Sequence, residues 1–317
     1  MTLYSYPEDF AENKSPLSCG CAIALGFFDG VHIAHRALLR EGREAAKLLG
    51  VPFGVFTFLS EAAELKTDSP RIYSTEEKLD LLADAGVDFA ALCNFGSISS
   101  FSAEEFIEKI LCGSFCARAV ICGFNYRFGR GAAGDSGFLK SELEKRNIRC
   151  MVSGEVKLHG KTLSSSLIRA LISDGKMEQA AEALGLPYFT RGRVMHGKGF
   201  GHTIGIPTLN ISFTEGKIYP PHGVYESAVL IDGSLYPALT NVGVCPTFGD
   251  ESPHAETYIL NFDRDVYDSQ VTVYYLKFLR EEIKFPSKDA LLKQIDADKA
   301  RVLCGTPEEK WQKIGLK

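Results

Sequence analysis

No stretch of this 317-residue chain approaches the ~18 consecutive apolar residues that a membrane-spanning helix needs. The opening segment, Met1-Thr-Leu-Tyr-Ser-Tyr-Pro-Glu-Asp-Phe10, has neither a basic start nor an apolar core, so it does not read as a secretory leader. Excess positive charge is also missing. Lys and Arg number 35 against 40 Asp and Glu, a net charge of -5. Broad electrostatic binding of nucleic acid, which needs many uncompensated cations facing phosphates, is therefore not expected. The nine cysteines are an odd number and contain no Cys-x-x-Cys pair. Several sit in apolar runs, such as Cys122 within Ala119-Val-Ile-Cys-Gly123. They read as small core residues kept as thiols in a reducing compartment, not as a metal cluster. The expected location is the cytoplasm. Thirteen prolines and 30 glycines are too few for a fibrous or low-complexity protein.

What is present is an ordinary globular mixture, 45% hydrophobic and 24% charged, at a length that suits two domains. The two halves differ in periodicity. In the first, short apolar runs at 21–27, 52–58, 89–94, 118–123 and 149–152 alternate with helical patterns at 34–49, 75–85, 103–111 and 137–146. Ser74 and Ser102 stand just before acidic pairs, which is how a capped helix begins. Strand and helix in alternation predict a parallel, doubly wound sheet, whose ligands bind beyond the carboxyl ends of the strands. In the second half, strand-like runs at 194–196, 225–231, 235–242, 256–261 and 270–278 are split by Gly, Pro and Asp turns. These predict a small β-barrel, closed by a final helix over 288–303 with Ser287 as its cap.

The sharpest local pattern is Gly26-Phe-Phe-Asp-Gly-Val-His-Ile-Ala-His35. It follows the first apolar run and opens a helix. His32 and His35 share a helical face at a helix N-terminus, where free N–H groups attract anions. Two imidazoles there could grip a polyphosphate. After the fourth run comes Gly123-Phe-Asn-Tyr-Arg-Phe-Gly129, where Asn125 and Arg127 could face a ligand. Ser164-Ser165-Ser166-Leu-Ile-Arg169 puts hydroxyls and an arginine on the first turn of another helix. Gly129-Arg-Gly131-Ala-Ala-Gly134 matches the dinucleotide pattern G-x-G-x-x-G, but its glycines lie well beyond the strand, so a lone match carries little weight.

In the second half, Gly197-Lys-Gly-Phe-Gly201 is a cationic, flexible loop, and Gly follows Lys198 where a Walker A motif needs Ser or Thr. Thr208 and Asn210, in Gly205-Ile-Pro-Thr-Leu-Asn210, alternate onto one side of an extended segment, where their oxygens could ligate Mg²⁺ between phosphates. Glu256 opens an apolar strand and is the candidate base.

These blocks, with Pro221-His-Gly-Val-Tyr225, Asn241-Val-Gly-Val-Cys-Pro-Thr-Phe248 and Leu279-Arg-Glu-Glu-Ile-Lys-Phe285, occur together in one order from about Ala22 to Val302. The chain resembles the bifunctional prokaryotic riboflavin kinase/FAD synthetase family. The resemblance implies a Rossmann-like nucleotidylyltransferase domain over 1–185 and a β-barrel riboflavin kinase domain over 186–317. It implies phosphorylation of riboflavin to FMN, then adenylylation of FMN to FAD. In the first domain Gly26, Phe28, Asp29, His32, His35, Asn125, Ser165 and Arg169 would bind ATP, with Asn125 and Arg127 toward the flavin. In the second, Glu256 would be catalytic, Gly201, Thr208 and Asn210 would hold ATP, and Thr208 and Asn210 its Mg²⁺. The partners implied are riboflavin, FMN and ATP, with no nucleic acid, no membrane and at most a weak homo-oligomer. The chain departs from the family pattern at Ala34, where Gly is usual between the histidines, at 58–63, where a Phe-x-Pro-His-Pro loop is usual, and at Leu209, where Ala is usual. The first two departures motivate an alternative, a riboflavin kinase whose adenylyltransferase half is weakened or inactive.

Overall fold

The computed structural model describes residues 1–10, 16, 17, 19–59, 69–195, 205–244 and 253–304. Its contacts separate two compact units, Met1–Leu163 and Ser164–Lys317, each with its own core.

The first unit is built on a six-stranded, wholly parallel sheet. Its strands are β1 (Thr2–Tyr6), β2 (Cys21–Leu25), β3 (Phe53–Phe58), β4 (Phe89–Cys93), β5 (Ala117–Gly123) and β8 (Arg149–Ser153), in the order β1-β4-β3-β2-β5-β8. Two short strands, β6 (Arg127–Phe128) and β7 (Gly134–Asp135), form a hairpin between β5 and β8. A second hairpin, β9 (Lys157–Leu158) with β10 (Lys161–Thr162), follows β8. The chain runs outward from β2 to β3 and β4, then returns to lay β5 and β8 on β2's other side. The order therefore reverses between β2 and β5, which is where open α/β sheets bind ligands. All five β2 residues are fully buried, as a strand covered on both faces requires.

Helix α1 (Ile33–Leu49) covers β2, β3 and β5 with Leu38, Leu39, Gly42, Ala45 and Ala46, spaced three and four apart as an amphipathic stripe. Gly50, left-handed at φ 63°, ends it. Helix α2 (Thr75–Asp84) begins with a complete capping box between Ser74 and Glu77. Helix α3 (103–114) also has one, between Ser102 and Glu105, then widens after Glu105 into a π-helix that ends at Ser114. The expected helix over 103–111 is thus longer and wider than its pattern. Helix α4 (Ser136–Glu144) is capped by Asp135. An aromatic cluster of Tyr6, Phe10, Phe56 and Phe115, with ring centroids 4.8–5.8 Å apart in the pairs Phe10–Phe115 and Tyr6–Phe10, anchors the edge strand β1, which the sequence pattern does not announce.

The second unit opens with α5 (Ser165–Ser173) and α6 (Met177–Leu184). A six-stranded antiparallel sheet follows: β11 (Tyr188–Arg193), β12 (Leu209–Ser212), β13 (Gly223–Ile231), β14 (Ser234–Val244), β15 (Pro253–Ile259) and β16 (Gln270–Arg280), in the order β11-β16-β13-β14-β15-β12. A bridge between Met195 and Asn210 joins the chain just past β11 to the other edge strand, so the sheet is a nearly closed barrel. Tyr188, Tyr225 and Tyr275 are completely buried. Around them the Ser227, Thr240 and Thr257 hydroxyls satisfy one another in a chain, at 2.8 Å and 2.9 Å. Helix α7 (Lys288–Val302), capped by Ser287, lies against β14 and seals Leu239, Leu260 and Val302 from water.

Two expectations need correction. The first barrel strand is Tyr188–Arg193, not 194–196. Val194 pairs only at its edge with Ser269 and Asp268, Met195 makes only the bridge, and His196 lies outside the described residues. The apolar run Val194-Met195 is conspicuous, but β16 supplies its ladder to the preceding six residues, including the polar Thr190, Arg191 and Arg193. Glu256 does not open its strand. Pro253 does, as a strand's first position allows, so Glu256 stands in mid-strand with partners on both sides.

Candidate active sites in the two units

In the first unit the turn after β2 carries Gly26 through His32. It is strained: Phe28 (φ 54°) and Val31 (φ 40°) are non-glycine residues in the left-handed region, beside Gly30 at 88°. Such a conformation costs on the order of 1–3 kcal/mol per residue and persists only where the surroundings enforce it. Here they do. Phe28 and Val31 are buried, and the buried Asp29 carboxylate accepts the Ile72 N–H at 2.9 Å, tying the turn to the segment before α2.

His32 caps α1, its Nδ1 accepting the His35 N–H at 3.4 Å. An acceptor nitrogen bears no proton, so the neutral His32 ring carries its hydrogen on Nε2. The two imidazoles stack, with centroids 3.6 Å apart and planes 14° from parallel, and Phe28 meets His35 edge-on at 5.3 Å. Burial pushes His32 down to about 4. Burial also holds His35 well below the ordinary histidine range, with the His32 charge adding to the effect. Both rings are therefore neutral at pH 7. His35 Nδ1 and Arg36 Nε are buried and have no hydrogen-bond partner among the described residues.

The turn after β5 is the neighbour of this one. Leu25 and Cys122 pair at the carboxyl ends of β2 and β5, so the histidine turn and the Gly123–Phe128 turn leave the sheet side by side. Asn125 and Arg127 are both exposed there, and Arg127 faces Asp135 at 3.7 Å. The glycines of the dinucleotide-like pattern lie in the β6–β7 hairpin and its short 3₁₀ turn, not between a strand and a helix. Gly129 (φ 75°) and Gly134 are needed for packing, since a Cβ on either would come within 2.8 Å of Ala103 or Phe128.

Ser165 and Arg169 belong to α5 in the second unit. Ser164 caps this helix by accepting the Leu167 N–H at 3.3 Å, and Arg169 reaches Ser166 at 3.2 Å.

In the barrel, Thr208 donates its hydroxyl to Glu256 Oε1 at 2.8 Å. Asn210, Glu256 and Asn241 are direct cross-strand partners on β12, β15 and β14, so their side chains leave the sheet on one face. Two open clefts share Thr208, and the first of them also takes in Asn241 and Glu256 of this row. One, about 370 Å³, runs beneath α7 and is lined by Thr208, Asn241, Glu256, Arg280, Glu282 and Phe285, among others. The second, about 250 Å³, is lined by Val194, Thr208, Phe262, Arg264, Asp265 and Tyr267, among others. Thr208 lies on the wall of both. Arg280 Nε is fixed at 2.9 Å from Asp298 on α7, and Gln294 holds the other oxygen of Asp298 at 3.0 Å. Gly201 and the rest of the 197–201 loop lie outside the described residues, as do residues 60–63 of the 58–63 segment.

Sequence reasoning gave no role to Asn241, Arg280, Glu282 or Asp298. For Asp298 a signal existed. It sits three residues after Ile295 and four before Val302, on the stripe that α7 buries, where a carboxylate needs a partner. The others become visible only when β14 and β16 pair on either side of β13.

Fold and sites define a two-unit protein: an α/β unit with a strained, histidine-bearing turn at its switch point, and a barrel in which two clefts share a threonine hydrogen-bonded to a carboxylate. Family comparison sharpens this. The FAD synthetase family model matches residues 14–167 and the riboflavin kinase family model residues 184–303. A bifunctional riboflavin kinase/FMN adenylyltransferase of Pseudomonas fluorescens is 34% identical over 91% of this chain and 94% of its own. That of Bacillus subtilis is 30% identical over 89% of this chain and 91% of its own. The chain belongs to this bifunctional family. A solved structure from Streptococcus pneumoniae, described as a macrolide-efflux protein, superposes with a TM-score of 0.84 at 29% identity, over 96% of this chain and all of that one. Among the described residues no helix is long and apolar enough to cross a membrane.

Proposed function

We propose that the barrel unit transfers the γ-phosphoryl group of ATP to the terminal hydroxyl of riboflavin. The α/β unit then joins the resulting FMN to the AMP moiety of a second ATP and releases pyrophosphate. The observation that carries the first step is the shared wall at Thr208. A nucleotide in one cleft and an alcohol in the other would meet beside Glu256. An alcohol is not ionised at neutral pH, so a positioned carboxylate accelerates its attack by taking its proton. Thr208 occupies Glu256 Oε1 and leaves Oε2 for the substrate hydroxyl. The Thr208 hydroxyl and the Asn210 amide oxygen are hard oxygen donors, which fit Mg²⁺ carried in by nucleotide phosphates. Bound there, the ion would neutralise charge between the phosphates. Gly201 is assigned to the same nucleotide.

In the α/β unit the nucleophile is already an anion, the phosphate of FMN. The chain must align it and neutralise charge, and no base is required. Gly26, Phe28 and Asp29 shape the turn, and His32 and His35 hold the ATP phosphates as neutral donors. Asn125 adds an amide to this grip, and Asn125 and Arg127 face the flavin; Ser165 and Arg169 are assigned to the same nucleotide by the family resemblance. Both family models match the chain, and nothing favours a weakened adenylyltransferase. This reading sets the protein in the cytoplasm, where ATP is supplied and thiols stay reduced.

The test is a time course with riboflavin, ATP and Mg²⁺, separated chromatographically. FMN should rise first and FAD follow. FMN without FAD, also when FMN is the substrate supplied, would remove the second activity; neither product would remove both.

A further inference from the structure

The cleft beneath α7 holds one buried polar atom that the roles above leave unused. Asn241 Oδ1 has no hydrogen-bond partner among the described residues and almost no contact with solvent. The amide is not free to turn. Its Nδ2 donates to Glu282 Oε1 at 2.9 Å. A carboxylate only accepts, so the nitrogen must face Glu282 and the oxygen must face away. Both residues line the cleft, as does Glu256, and Asn241 is the direct cross-strand partner of Glu256. Directly opposed residues have Cα atoms only about 4.5–5.5 Å apart. Glu282 in turn depends on Gly243, where a Cβ would stand 2.4 Å from Glu282 Oε1. Gly243, Glu282 and Asn241 thus form a chain of support that ends in a single aimed acceptor, one residue's width from the carboxylate that takes the substrate proton. Leaving a buried carbonyl unmet is costly unless a ligand meets it.

We propose that Asn241 is a substrate-binding residue of the kinase cleft, whose carbonyl oxygen accepts a hydrogen bond from a chain hydroxyl close to the one being phosphorylated, and that Glu282 is the positioning residue that fixes its orientation. The ligand class is a polyhydroxylated chain attached to a flat ring. The acceptor selects for the neighbouring hydroxyl and so for the register in which the terminal one reaches Glu256. This inference rests on the riboflavin kinase reading of the barrel.

The experiment compares full-length wild type with Asn241→Leu, Glu282→Leu and Gly243→Ala, on riboflavin and on its 2′-, 3′- and 4′-monodeoxy analogues. Wild type should lose roughly 10- to 100-fold in kcat/KM on one analogue, the one that lacks Asn241's partner. Asn241→Leu should lose a similar factor on riboflavin and be indifferent to that same deletion. Gly243→Ala and Glu282→Leu should lose part of the discrimination while the KM for ATP stays unchanged, and Glu282→Gln, which keeps an acceptor, should restore it. Adenylylation of supplied FMN by the same preparations should be unaffected, which separates loss of the contact from loss of the fold. Variants that still discriminate as wild type does overturn the proposal and leave the kinase reading intact. So does an Asn241→Leu enzyme weakened equally on every analogue, since the acceptor would then meet the ring instead. A wild type that never phosphorylates riboflavin overturns both.

Discussion

Acid should act on the α/β unit through His32. Its imidazole is lowered by burial to about 4 in the folded chain and returns to about 6.5 on unfolding. Between those values the unfolded state binds the proton and the folded state does not, so stability rises with pH across this window and is lost as pH falls through it. The contribution is whole above pH 6.5. At pH 4.5 the two protonation equilibria differ by a factor of about 80, a loss of about 2.5 kcal/mol, whereas at pH 7 the loss is close to zero. His35, shifted in the same direction, adds to the loss. The assay has two parts. In an imidazole-proton NMR titration the His32 signal should hold its position from pH 8 to 5.5 and move only near pH 4. Guanidinium unfolding at pH 7 and 4.5 should then show a smaller acid loss in His32→Asn than in wild type, by about 2 kcal/mol. A His32 midpoint between 6 and 7, or equal acid losses in the two proteins, would refute the lowering of this imidazole by burial.

Glu256→Gln should cut kcat for riboflavin phosphorylation by ~10²–10⁴-fold, the usual worth of a general base, and leave FAD formation from supplied FMN untouched; steady-state assays of the two half-reactions check this. Asp298→Ala removes the partner of an Arg280 side chain that is only 15% exposed, and should destabilise the barrel by roughly 3 kcal/mol while raising the KM for riboflavin, measured by urea unfolding and kinetics. Gly54→Ala would place a Cβ 2.1 Å from the Phe89 ring; overpacking of this kind should cost about 1–3 kcal/mol in the thermal transition of the α/β unit without changing riboflavin phosphorylation.

Much of this molecule is legible from its sequence where a signal is local. The caps at Ser74, Ser102 and Ser287 are hydroxyls one residue ahead of a helix, and each cap is made. The buried parallel strands announce themselves as apolar runs because both faces are covered. Edge elements do not. Strand β1 leaves Thr2, Leu3 and Ser5 exposed and buries only Tyr6, and the hairpin strands β6, β7, β9 and β10 are each two residues long, below what any periodicity resolves. The same division holds at the sites. The His32–His35 pair is a short-range pattern and could be read directly. The cleft wall of Asn241, Arg280, Glu282 and Asp298 is assembled from two strands, a connecting segment and a helix, and exists only after the barrel has closed.

Strand β15 gives one further consequence. Its even positions reach the cleft through Glu256, while its odd positions face the barrel interior, where Thr257 completes the buried hydroxyl chain. A slip of one residue against β14 would exchange the two sides at a stroke. The acid would be driven into an oily centre and the threonine out into water. The chain therefore cannot settle into a well-built but idle form by mispairing there: the error that silences catalysis also dismantles the barrel, and such molecules would be cleared as unfolded protein before they could accumulate.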